Sequence, residues 1–77
     1  MDENLKRKQE KVLLRRAMAR LPVEKRELLV LSRFQNLKYE EIGTILGCDV
    51  GAVKVRVYRA VRALSQIYFE LAGEKAS

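Results

Sequence analysis

The sequence predicts an all-α fold: four helices, the last two forming a C-terminal helix-turn-helix. Three observations predict it. Apolar residues recur at helical spacing, as in Val53, Val57, Ala60, Leu64 and Leu71. Strand-like alternation between turn signals is absent. Three breaks, Leu21-Pro22, Gln35-Asn36-Leu37-Lys38 and Gly47, divide the chain into four pieces of helix length. The overall type is winged-helix-like, with no wing expected. At 77 residues this is one small domain, and a chain so short buries only about 60% of its unfolded surface, so its core is thin.

The first helix is expected over residues 2–20, with Leu5, Val12, Leu13, Ala17, Met18 and Leu21 as its apolar stripe and a frayed first turn. Pro22 suits the first turn of a second helix, and Glu24 suits its positive end. Leu28, Leu29, Leu31 and Phe34 continue that helix as a core-facing element. Asn36 fits a left-handed C-cap.

The third helix is expected at about 39–46, with Glu40 and Glu41 in its first turn and Tyr39, Ile42, Ile45 and Leu46 on its buried face. Gly43 disfavours a helix by about 1 kcal/mol relative to Ala, which points to a close crossing with the next helix. Gly47 supplies the turn, and Asp49 is a good N-cap for a fourth helix over about 50–71. The expected division is 1–12 as linker end and frayed helix start, 13–71 as the folded domain and 72–77 as a flexible tail.

Composition narrows the function. A net charge of +6 suits a polyanionic partner, either nucleic acid or an anionic membrane surface. The lone Cys48 forms no internal disulfide, and without histidine it makes no zinc site. No apolar run reaches the roughly 18 residues of a membrane span, and Met1 to Lys11 lacks a signal-peptide core. Tyr39, Cys48 and the carboxylates form no nucleophile–base or metal set, so no enzyme, no cofactor and no small-molecule substrate are expected. Cys48 reads as a small apolar packing residue at the turn.

At about 100° per residue, Val50, Val53, Val57, Ala60, Leu64, Tyr68 and Leu71 share one side of the fourth helix. The opposite side carries Gly51, Ala52, Val55, Tyr58, Arg59 and Arg62, with Lys54 and Arg56 flanking the stripe. No acid stands between Val50 and Phe69, whereas a helix built for solubility mixes signs. A short helix, a tight turn and a basic second helix suit the DNA major groove. Val55 points outward and can contact a thymine methyl; Gly51 and Ala52 permit close approach; Arg59 reaches base edges or phosphate. Lys54, Arg56, Tyr58 and Arg62 suit phosphates on the groove walls, with Arg33 and Lys38 adding backbone contacts.

The chain resembles region 4 of the extracytoplasmic-function (group IV) bacterial sigma factors. The residues that carry the resemblance are Leu21-Pro22, Arg26, Leu28–Phe34, Tyr39–Ile42, Gly47 and the run Val50-Gly51-Ala52-Val53-Lys54-Val55-Arg56-Val57-Tyr58-Arg59-Ala60, and the likeness covers about 13–68. It implies a four-helix domain docking its last helix in the major groove of the promoter −35 element. It also implies an apolar surface for the flap of the RNA polymerase β subunit and, in many systems, a covering anti-sigma factor. The residues carried over to DNA contact are Lys54, Val55, Tyr58 and Arg59. Ala52 and Val55 depart from the usual Thr and Ser, Gly43 from Ala, and Lys38 from a capping Ser or Thr. Nothing resembles region 2, so the resemblance implies the C-terminal part of a longer, cytoplasmic, nucleoid-associated bacterial protein.

Two other readings stay open. Leu13, Leu14, Met18, Ile67, Tyr68 and Leu71 would form a protein-docking surface if they do not simply fill the core. A different helix-turn-helix regulator, such as a response-regulator output domain, shares the Glu-Ile and Val-Lys fragments.

Overall fold

A computed structural model describes residues 3–76. It contains α1 (Glu3–Arg20), α2 (Val23–Leu29) running directly into a π-helical turn (Val30–Phe34), α3 (Tyr39–Leu46) and α4 (Val50–Ala76). Met1, Asp2 and Ser77, at the edges of the expected linker end and tail, lie outside the described residues.

α4 is the spine. Its 27 residues rise about 40 Å at 1.5 Å each, close to the 44 Å long dimension of the molecule. Val53, Val57 and Ala60 pack with Leu21, Leu28, Leu29 and Ile42 into one buried cluster. A second cluster joins Leu13 and Ala17 of α1 to Leu71, with Leu64, Ile67, Tyr68 and Ala72 beside it. Of the six residues offered as a docking surface, Leu13 and Leu71 are therefore buried, and Met18, Ile67 and Tyr68 are partly buried in the packing. Only Leu14 stays exposed.

Several elements begin and end as their chemistry dictates. The Pro22 carbonyl accepts from Arg26 N–H at 3.0 Å, opening α2. The Arg26 guanidinium reaches back to the last carbonyls of α1, donating to Ala19 O at 3.2 Å and Met18 O at 3.5 Å. It thereby supplies a donor to Ala19 O, joins Leu21 N–H on Met18 O, and places a cation at the negative end of the helix. Asn36 has φ 55°, the left-handed conformation expected of it.

Other expectations are corrected. Phe34 is 64% exposed rather than core-facing. The inward direction of this helix lies between buried Leu28 and Leu29, and at about 100° per residue Phe34 stands about 170° round from it. The helix closes in a π turn, where Gln35 N–H bonds to Val30 O at 2.9 Å, one residue wider than α-helical spacing. Ile45 and Leu46 are also exposed, at 60% and 40%. The inward direction of α3 lies between buried Ile42 and Gly43, and Ile45 stands about 110° round the helix from it; Leu46 lies near that direction, but it is the last residue of the helix and stands outside the packed cluster. Leu5 and Val12 face solvent because α1 gains buried residues only from Leu13 onward. The helix expected over residues 2–20 is present as Glu3–Arg20.

α4 does not end near 71. Leu71 and Ala72 pack against α1, and Gly73 costs helix propensity without a steric stop, so the helix continues to Ala76.

Candidate nucleic-acid interface

The turn between α3 and α4 is built around Gly43. Its carbonyl accepts from both Gly47 N–H (2.7 Å) and Cys48 N–H (2.9 Å). A Cβ at this position would stand 2.5 Å from the Cys48 carbonyl oxygen and 3.7 Å from a Val53 methyl. The missing side chain therefore lets the turn fold down onto α3, with the α4 side chain in ordinary contact. Gly47 takes φ 75°, ψ 36°, a left-handed cap that glycine adopts without steric cost. Cys48 is half-buried against the main cluster, packing as expected.

Both helices of the motif are capped by carboxylates. Asp49 Oδ1 accepts from Ala52 N–H at 2.8 Å, as the sequence predicts. Glu41 Oε1 accepts from Lys38 N–H at 2.8 Å, so the back-reaching half of a capping box stands although Lys38 replaces a capping hydroxyl.

Buried Val53, Val57 and Ala60 fix the rotation of α4 about its axis. Gly51, Lys54, Val55, Arg56, Tyr58, Arg59 and Arg62 are consequently exposed together, Val55 at 48% and Tyr58 at 61%. Ala52 departs from its expected outward position: it is half-buried at the margin of the face. Arg33 and Lys38 are exposed at the two ends of the connection into α3, not on the α4 face itself.

The two flanks of the face differ. Arg56 and Arg59 line a groove whose other residues include Leu28, Leu31, Ile45 and Leu46 and two acids of α2, Glu24 and Glu27. The other flank is a row one helical turn apart: Lys54, Tyr58 and Arg62. There the Arg62 guanidinium donates to the Tyr58 hydroxyl oxygen at 3.3 Å and lies 5.9 Å from the centre of its ring. Sequence reasoning placed both residues on the face but missed their pairing. The i, i+4 spacing of an aromatic and an arginine was the available signal.

The description "Sigma-70, region 4" matches residues 5–64. The chain belongs to the sigma-70 region 4 family. Among curated relatives, it is 41% identical over 46 residues to the RNA polymerase sigma-H factor of Pseudomonas aeruginosa, covering 60% of this chain and 24% of that protein. It is 40% identical over 55 residues to the ECF RNA polymerase sigma factor EcfG of Rhodopseudomonas palustris, covering 71% of this chain and 30% of the relative. It is 39% identical over 49 residues to the ECF RNA polymerase sigma-E factor of Escherichia coli, covering 64% and 26%. The matched region thus spans less than a third of each of these relatives. Among the described residues, no group of His, Cys, Asp or Glu could hold a metal ion, and no helix is long and apolar enough to cross a membrane.

Proposed function

We propose that this region 4 domain reads the −35 element of a promoter duplex within a sigma factor that directs RNA polymerase. The observation that carries the reading is the acid-free outward face of α4, held in one orientation by Val53, Val57 and Ala60. Val55 at its centre, and Arg59 beside it towards the Arg56 flank, take the base edges, and Gly51 and the small Ala52 let the helix start approach closely. Lys54, Arg56, Tyr58 and Arg62 take phosphates on the two walls, with Arg33 and Lys38 extending the backbone contacts. Residues 13–71 are the docking unit. Such a domain acts by binding, without chemistry of its own, in the bacterial cytoplasm at the nucleoid.

Binding-site selection on random duplex DNA tests this. The expected product is a single asymmetric site; a palindromic operator would instead favour a different helix-turn-helix regulator. On the selected site, Arg59→Ala should cost about 1–3 kcal/mol and relax base preference. Unchanged affinity and preference would overturn the assigned geometry.

A protein partner is favoured by the groove beside the same face. Exposed Ile45 and Leu46, together with Leu31, give it an apolar lining flanked by Glu24 and Glu27 on one side and Arg56 and Arg59 on the other. An amphipathic helix of the polymerase β flap, or of an anti-sigma factor, fits that pattern. Ile45→Asp should abolish capture by purified flap while leaving α3 folded, since Ile45 is exposed; retained capture would exclude the groove.

A further inference from the structure

We propose that Tyr58 and Arg62 act as one phosphate-gripping unit, in which each positions the other, rather than as two independent backbone contacts. The proposal rests on the DNA-binding reading above and adds how that flank works.

The geometry supports a division of labour. The Tyr58 oxygen accepts from the Arg62 guanidinium, so its own O–H is left to donate outward. A hydroxyl that accepts from a cation is polarised and becomes a stronger donor, which suits an anionic oxygen. The guanidinium lies against the ring at 5.9 Å, and this contact restrains a long side chain that would otherwise lose rotamer freedom on binding. Its remaining N–H groups are free of other described partners. Both residues are exposed, so neither is held there by burial. The nearby acids Glu24 and Glu27 share their groove with Arg56 and Arg59, on the opposite flank. Lys54 stands one turn before Tyr58, so the row Lys54–Tyr58–Arg62 runs about 12 Å along α4.

Preorganisation of this kind leaves a signature that two independent contacts would not. Tyr58 adds no cation to the row, so its loss should alter the salt dependence of binding only by releasing Arg62 from its position.

The test uses the 77-residue chain with two duplexes, the selected site and a scrambled sequence of equal length, read by fluorescence anisotropy across a salt series. Tyr58→Leu and Arg62→Met should each weaken both duplexes by roughly 5–10-fold, as expected for a charge-assisted hydrogen bond. The double variant should be no weaker than the worse single one. Tyr58→Leu should also lower the salt slope towards that of Arg62→Met, by up to about 0.9. Tyr58→Phe, which keeps the ring but not the hydroxyl, should fall between wild type and Tyr58→Leu. Losses that multiply in the double variant, or an unchanged slope in Tyr58→Leu, would overturn the pairing while leaving the interface intact. If Arg59→Ala and both pair variants all bind like wild type, the interface reading itself fails.

Discussion

α1 and α4 are both long and basic, yet their cations are organised differently. α1 holds Lys6, Arg7, Lys8, Lys11, Arg15, Arg16 and Arg20 against Glu3 and Glu10. It buries only Leu13 and Ala17, so its charges surround the helix. α4 has fewer cations over Val50–Leu64, but buried Val53, Val57 and Ala60 confine them to the outward side. The difference teaches that the number of cations does not mark an interface. An interface needs a buried stripe that fixes where the cations point, and then an absence of competing acids between them.

The largest effect should come from removing the anchor of that stripe. Ile42 is fully buried against Val53 and Val57. Ile42→Ala should cost about 2–5 kcal/mol by urea unfolding followed by circular dichroism. Leu13→Ala, in the peripheral cluster beside a helix end, should fall at or below the low end of that range. Equal losses would mean that α1 is as integral to the fold as α3.

Gly43→Ala separates turn packing from helix propensity. Propensity alone favours Ala by about 1 kcal/mol. The new Cβ would meet the Cys48 carbonyl, and overpacking of this sort costs about 1–3 kcal/mol. The expected net result is a lower thermal midpoint; a higher one would show that the turn yields freely.

The smallest effects contrast the two helices directly. Lys54→Ala should reduce the slope of log K against log salt by about 0.9, as one phosphate contact is lost. Lys8→Ala, on the far-reaching part of α1, should leave the slope unchanged in the same titration. A matching drop for Lys8 would place α1 on the DNA and remove the distinction between the helices.

The sequence was most legible where one local rule decided the outcome. Asn36 and Gly47 adopt left-handed backbone because the chain must turn there, and Asp49 caps α4 because a carboxylate precedes three unpaired N–H groups. The outward set of α4 was legible for a related reason: a long apolar stripe at regular spacing leaves only one rotation of the helix. Legibility failed where regular spacing failed. Phe34 extends the apolar run of α2 in sequence, but it stands on the side away from buried Leu28 and Leu29. Ile45 fits the amphipathic pattern of α3, but that short helix turns inward on Ile42 and Gly43.

By itself, then, the sequence determined the helical class, the turn chemistry and the side of α4 that turns its cations to solvent, because these follow from spacing and from backbone preferences of single residues. Only the tertiary structure decided three further matters. Arg26 holds the end of α1, Gly43 receives the Cys48 carbonyl, and Arg62 lies on Tyr58 while Arg56 and Arg59 share a groove with α2 acids. Each depends on where a flexible side chain or a turn comes to rest against a neighbour. That outcome is set by three-dimensional packing and charge, which one-dimensional spacing does not encode.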